Sequence, residues 1–456
     1  MTSSTIPCCV DVPRSAALVR YGLEELLRGL GLTPRWTTHD GARLSITCAR
    51  SDEPTEAGEV GLALRVRPSA LRDLGTPRVP EDPARLRIDG EPWPVPVGAP
   101  GPATLGDAVA GAAWWLAGIQ ERAVEARDRH GRFPYAASLQ ARLGDAPGGA
   151  LHPAVDAYRR ALGEALRRAG VDVPGRTWGG MPWAVALTHD LDAVRTRRVR
   201  AFAGSLRAGR PSEAVRRALG PDRRRDSIGD LHALGQRHGT DATWFVKPGA
   251  WTPEDLPGGL DPALVRRLSE WADDGAEVGW HPGYGVHGHP DRWAAERERF
   301  VGAFGHPARL ARTHFLRWTE PDTPRTLGEA GVQIDSTMGF AEHSGYRRGT
   351  THPFRVFDPE RAEASDLWEM PLAVMDTTLH QYRALSGPAL ADAIGAVFEA
   401  ARRSGGCAVV LWHNQTGGDT EAWRSRLDAL DHALGQARLD GAALGPLGPL
   451  FSGWIG

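Results

Sequence analysis

"WAVALTHDLDA", Trp183–Ala193, is the stretch on which the reading of this chain turns. Its first five residues are apolar or small and read as a buried strand. Thr188, His189, Asp190 and Asp192 follow within the next five positions. A carboxylate or imidazole buried there without a partner is costly, so the strand end calls for a metal, a catalytic neighbour or an arginine. Working outward, "ATWFVKPG", "AEVGWHP" and "CAVVLWHN" are short apolar runs of the same kind. Between and after them lie helical patterns such as "PALVRRLSEWADDGA", "PDRWAAERERFVGAF", "ALADAIGAVFEAARRSGG" and "EAWRSRLDALDHALGQARL". Strands alternating with helices imply βαβ units and a parallel sheet, open or closed into a barrel.

The polar residues gather at one end of these strands. Asp190 and Asp192 end the first, His281 ends "EVGWH", His413 and Asn414 end "VVLWHN", and Arg312, His314 and Arg317 lie in "LARTHFLRW". In a parallel barrel the C-terminal strand ends form the active-site face, so segments over two hundred residues apart are expected to meet in one pocket. One histidine at a strand end usually has a structural role. Several in the same position, beside an Asp-x-Asp, point to chemistry. Two carboxylates two residues apart can divide labour, one on a metal and one on its water. His189 alternates to the opposite side from Asp190 and is expected behind the site. Trp280, Trp412 and Tyr284 flank the strand ends, where rings suit a sugar face.

At 456 residues the chain is long enough for two domains. Its 41% hydrophobic and 24% charged residues are those of a soluble globular protein, and a net charge of −2 gives no field favouring nucleic acid or an anionic membrane. Nearly every cation is arginine; Lys247 is the single lysine. The opening "MTSSTIPCCVDVPRS" does not read as a secretion signal, and no segment approaches the ~20 apolar residues of a spanning helix. Cys8, Cys9, Cys48 and Cys407 have no metal-like spacing and read as thiols in a reducing compartment. The expectation is a cytoplasmic protein with no membrane or nucleic-acid partner. No Gly-rich phosphate cradle is present. Oligomeric state is not legible.

The first 178 residues read as a separate, smaller α/β unit. "SAALVRYGLEELLRGLGL" (Ser15–Leu32) has helical periodicity, "RLSITCA" and "VGLALRV" read as strands, and "PRVPEDPARLRIDGEPWPVPVGAPGP" reads as Pro-rich and strand-poor. One long helix is expected over Leu105–Gly131 and another in "LHPAVDAYRRALGEALRRAG", with "VDVPGRTWGGMP" as linker. "DRHGRFPY", Asp128–Tyr135, reads as a capped helix end rather than a site.

"LTHDLD", "GAEVGWHP", "RTHFLRW" and "LWHN", in that order, resemble the polysaccharide deacetylase superfamily (NodB homology, carbohydrate esterase family 4). The similarity spans about residues 183–439 and is nearest to a subgroup with His-Asp-x-Asp, His-Pro and Trp-His-Asn motifs and an extra N-terminal domain. "IDSTMGF", "GYRRGTTHPF", "LWEMPLAVMD" and "DRHGRFP" also look like that subgroup. The resemblance implies an irregular (β/α) barrel over 179–456, after an accessory domain over 1–178. It implies a hydrolase of non-peptide C–N bonds, a deacetylase using one divalent metal, zinc. Carried onto this chain, Asp190 matches the base, His413 the acid, Arg312 the arginine that orients the base, and Asp192 and His281 two metal ligands. Tyr284, Arg317, Trp412 and Asn414 flank these and are candidates for contact with a saccharide or small-molecule substrate.

The chain departs from the family at the second motif, which has two histidines four residues apart. Four after His281 stands Gly285, in "WHPGYGVHGHP". His314, His287 and His289 are therefore candidates for the third ligand. His314 follows Arg312 by two residues, so in extended chain both face one side. If Arg312 reaches Asp190, His314 lies on the metal's side. The alternative is a degenerate barrel that binds a saccharide or a partner without catalysis.

Overall fold

The computed structural model describes residues 4–13, 15–37, 42, 44–48, 62–192, 194, 205–212, 215, 223–255, 259–414 and 420–456. Ala193 and the ends of two expected strands (Arg43, Ala49, Val60, Gly61) lie outside the described residues, as does the side chain of Cys48.

The chain opens on a parallel sheet of order β2-β1-β3-β4, made of β1 (Ser4–Asp11), β2 (Leu32–Trp36), β3 (Leu44–Cys48) and β4 (Leu62–Val66). The first helix, Ala16–Gly29, is shorter than expected, because Leu32 already pairs with Ser4 as the start of β2. The Pro-rich passage is not strand-poor. It holds an antiparallel hairpin, β5 (Ala84–Ile88) and β6 (Glu91–Val95), turned at Asp89 and Gly90 with φ of 53° and 83°. Two successive left-handed residues are what a two-residue hairpin turn with the strands' own twist requires. Pro92 and Pro94 are tolerated because a two-stranded sheet has free edges.

The long helix expected over Leu105–Gly131 is broken. Thr104 and Asp107 cap helix Leu105–Leu116 reciprocally, and Asp107 also accepts from Arg67 Nε at 2.6 Å. The helix is buried nearly all round. At Gly22 a Cβ would stand 2.4 Å from the Val109 carbonyl, so glycine lets helix Ala16–Gly29 lie directly on it. Gly118, at φ 67°, ends the run, and a short helix Ile119–Ala123 leaves in a new direction. A Cβ at Gly118 would strike the Arg348 guanidinium at 1.9 Å.

The larger sheet follows the order β12-β13-β11-β10-β9-β8-β7-β15-β14. Its strands are β7 (Trp183–Leu191), β8 (Thr243–Val246), β9 (Glu277–Trp280), β10 (Leu310–Ala311), β11 (Ile334–Asp335), β12 (Phe354–Asp358), β13 (Glu363–Glu369), β14 (Leu372–Met375), β15 (Cys407–Leu411) and β16 (Ala442–Gly445). β7 is buried along its whole length. It takes β15 on one edge, and on the other β16 along its first half and β8 along its second. All pairings are parallel except β12 with β13. The architecture is an irregular, curled (β/α) half-barrel behind a smaller α/β region, as expected.

One hydrophobic core runs through both regions. Polar contacts reinforce it. Asp156, on helix Ala154–Arg168, accepts from Thr350 Oγ1 at 2.7 Å, from the Thr351 N–H at 2.9 Å and from Arg159 Nη1 at 2.7 Å. Glu121 pairs with Arg347 and Arg348. No helix among the described residues is long and apolar enough to cross a membrane.

Candidate active site

The C-terminal ends of β7, β9, β10, β14 and β15 open on a pocket of about 460 Å³. Asp190 is buried beneath it. Arg312 Nη1 lies 3.1 Å from its Oδ1 and donates to Thr188 Oγ1 at 2.7 Å, while Arg312 Nε and Nη2 are held by the Ser336 carbonyl and hydroxyl. Arg312 is itself fully buried, so the base-like carboxylate and its guanidinium form a fixed pair.

Asp192, two residues on, meets three imidazoles. His281 Nε2 is 3.1 Å and His314 Nε2 3.3 Å from its Oδ1, and His413 Nε2 is 3.6 Å from Oδ2. Burial would raise the Asp192 pKa, but His314, His281 and His413 hold it well below the usual carboxylate range. β10 is only two residues long, yet the extended chain continues past it. The Arg312 N–H donates to the Trp280 carbonyl and the His314 N–H to the Pro282 carbonyl, so alternate residues keep facing one side. Arg312 and His314 therefore both reach the end of β7.

The donor set fits a metal ion. One ligand atom each from Asp192, His281 and His314 lies within 4.8 Å of the others. His281 Nδ1 is tied to the Arg312 carbonyl at 2.5 Å and His314 Nδ1 to Asp255 Oδ1 at 3.0 Å, which frees both Nε2 atoms to face Asp192. Two ligands of a tetrahedral zinc, each about 2.0–2.1 Å from it, stand about 3.3 Å apart. The two distances from Asp192 Oδ1, 3.1 Å to His281 Nε2 and 3.3 Å to His314 Nε2, are close to that spacing. Asp255 is held low in pKa: burial opposes its charge, and His314 and the Tyr284 N–H outweigh that. His287 and His289 belong to a different cleft, with Arg317 and Thr319. Burial pushes His287 down to about 3, and its ring sits edge-on to Trp293, 5.5 Å between centroids.

His413 Nδ1 is 2.6 Å from Asp376 Oδ1, at the end of β14. Burial would make this imidazole more acidic, but Asp376, with Asp192 and Asp190 behind it, lifts it to about 10. A histidine so paired is an imidazolium at neutral pH.

Asn414 lines the same pocket. The other three substrate candidates need correction. Trp412 is fully buried in the core, because strand alternation turns it away when His413 faces the pocket. Tyr284 and Arg317 stand one layer back. The Arg317 guanidinium lies 4.4 Å over the Tyr284 ring and donates to the Tyr284 carbonyl, while His130 and Phe315 cover Tyr284 on the pocket side. His189 lies behind the site as expected, bonded to the Trp412 carbonyl at 2.8 Å.

"DRHGRFPY" is not merely a helix end. Arg129 and His130 line the pocket. His130 Nδ1 is 3.4 Å from the Tyr284 hydroxyl, and its ring is 4.6 Å from that of Phe315. Asp376, Asp255 and His130 were the residues sequence reasoning missed. Asp376 carried a signal, a carboxylate closing an apolar run in "PLAVMD", and His130 lies in "DRHGRFP", whose resemblance to the subgroup did not say which residue faces the pocket.

No family profile and no curated protein matches the chain. Solved structures do. A protein described as a polysaccharide deacetylase from Pseudomonas aeruginosa is 16% identical over 60% of this chain and 92% of its own, with a TM-score of 0.42. A family 4 carbohydrate esterase from Streptomyces lividans is 15% identical over 59% and 95%, TM-score 0.32. A family 4 pseudoenzyme from Bacillus anthracis is 12% identical over 59% and 64%, TM-score 0.31. These solved structures to which the chain is similar are a polysaccharide deacetylase and members of carbohydrate esterase family 4.

Proposed function

We propose that the chain is a metal-dependent hydrolase of a non-peptide amide, a deacetylase of an N-acylated sugar or small amide. The observation that carries this is a single pocket holding three convergent groups. They are a ligand set of Asp192, His281 and His314, a buried Asp190–Arg312 pair, and a His413–Asp376 pair. Asp192, His281 and His314 would hold the metal, with zinc suited to one carboxylate and two imidazoles. When bound, it supplies a Lewis acid that polarises the acyl carbonyl and acidifies water.

The rest is done by the chain's own side chains. Arg312 keeps Asp190 aimed, so its carboxylate takes a proton from the water that adds to the acyl carbon. As the C–N bond breaks, the His413 imidazolium gives its Nε2 proton to the departing nitrogen. Asp376 holds the other face of that ring and stabilises its charge. The products are a carboxylic acid and a free amine, and the two protons exchanged balance. Residues 1–178 act as an accessory domain that completes the pocket wall through Arg129 and His130.

Acetate release from an N-acetylated chito-oligosaccharide and from small N-acetyl sugars tests the reading. Release by the metal-loaded protein, lost in both Asp190→Asn and His413→Ala, supports it. Protein that holds metal but releases no acyl group from any of these, at any pH from 5 to 9, would instead be a binding module.

A further inference from the structure

We infer that the substrate carries an anionic group, a carboxylate or a phosphate, held at the mouth of the pocket by Arg129 and Arg426. This deepens the hydrolase reading, on which the acyl part of the substrate rests. The anion itself rests on separate observations.

The first is a count of charges. Three carboxylates line the pocket, and each is engaged: Asp190 by Arg312, Asp192 by His281 and His314, Asp376 by His413. Arg129 and Arg426 line the same pocket, and neither has a carboxylate partner among the described residues. A divalent cation on Asp192 would make the interior more positive still. A pocket with two uncommitted guanidiniums draws anions.

The second is how the two arginines are held. Arg426 leaves helix Thr420–Leu439 next to Trp423. Its Cζ lies 5.8 Å over the Trp423 ring, which is anchored by its N–H to Asp230. Arg426 Nε is buried with no hydrogen-bond partner among the described residues, an unfavourable state for a charged donor unless a ligand meets it. Arg129 stands on a rigid loop. Asp128 Oδ1 accepts from the N–H groups of His130 at 2.8 Å and Arg132 at 2.9 Å, and its Oδ2 from Arg132 Nε at 2.7 Å. Arg132 in turn pins the loop to the site, reaching the Phe315 carbonyl at 3.2 Å and the Tyr382 hydroxyl at 3.1 Å. Phe315 and Leu316 have φ of 62° and 54°, a strained pair directly after His314, so the same clasp steadies that turn. Arg129 Nε bonds His130 at 3.0 Å, which leaves both its terminal amino groups for a ligand. A planar fork of donors suits carboxylate or phosphate oxygens.

Calorimetry on the full-length protein at low ionic strength tests this with four probes. They are N-acetylglucosamine, N-acetylglucosamine 6-phosphate, N-acetylmuramic acid and inorganic phosphate. At least one acidic sugar should bind about tenfold or more tighter than the neutral sugar. Which one does so tells phosphate from carboxylate. The preference should shrink in high salt. In the double variant Arg129→Gln/Arg426→Gln the acidic-to-neutral ratio should fall towards one. In Arg160→Gln, a surface control paired with Asp89, it should stay as in wild type. Equal affinity for neutral and acidic sugars in wild type overturns the inference. So does a ratio that survives the double variant, or inorganic phosphate binding as tightly as the sugar phosphate. An acidic preference in protein that releases no acyl group would sink the hydrolase reading and leave the anion site standing.

Discussion

Replacing Asp376 by Asn should move the alkaline limb of activity towards neutral pH. The structure places Asp376 Oδ1 2.6 Å from His413 Nδ1, and the imidazolium is stabilised until about pH 10 instead of the usual 6.5. At about 1.4 kcal/mol per pH unit, that rise corresponds to roughly 5 kcal/mol of preference for the charged ring, gained in spite of burial. Asp376 is the largest favourable contributor. Its removal lets burial act nearly unopposed, since a metal would offset the charges of Asp190 and Asp192. A raised pKa means that the protonated form, the one able to donate, persists below it and is lost above it. The alkaline limb of kcat/KM should therefore stand well above neutral pH in wild type and fall by two or more pH units in Asp376→Asn, with the acid limb in place. The pH dependence of the His413 ring NMR signal gives the same quantity without turnover. A limb and a ring titration unmoved by the substitution would refute His413 as the acid and Asp376 as its counter-charge.

Asp190→Asn should cut turnover about 10²- to 10⁴-fold while metal stays bound, because it removes a base and leaves the ligands. Steady-state kinetics with elemental analysis on one preparation checks both halves, and near-normal kcat would reverse the roles of the two aspartates. Asp156→Ala should destabilise the chain by about 3–5 kcal/mol in denaturant titration, since it strands Arg159 in the core. A loss under 1 kcal/mol would mean the seam between helix Ala154–Arg168 and the 350–352 loop is unimportant. Removing residues 1–178 takes away Glu121 and strips Arg347 and Arg348, both buried, of that partner. The remainder should fold poorly, and a soluble, cooperatively unfolding, active fragment would make the accessory domain dispensable.

The barrel strands were legible because buried parallel strands write themselves as short apolar runs, and the residues of the candidate site sit where each run ends. Asp190, Asp192, His281 and His413 all announced themselves this way. His314 followed from two-residue alternation, which holds because the chain past Ala311 keeps bonding to β9 and the residues after it. Other features were hidden for physical reasons. The contact of His130 with Tyr284 and Phe315 joins segments over 150 residues apart, with no periodicity to reveal it. Asp255 approaches His314 from a Pro/Gly-rich passage whose conformation is set by tertiary contacts. The hairpin was obscured by its prolines, although Asp89-Gly90 is a turn signal in its own right. The break at Gly118 depends on Arg348, which no local pattern contains. Trp412 misled because an aromatic beside a strand end of the candidate site belongs to the core as readily as to the pocket.

The most direct test of the central claim is metal content. Protein purified without chelator should carry one equivalent of a divalent metal by elemental analysis, with zinc expected. His281→Ala and His314→Ala should each fall well below that, while His287→Ala and His289→Ala keep the full equivalent. Equal metal in wild type and His314→Ala, with loss on replacing a histidine of the 287–289 loop, would contradict the site described here.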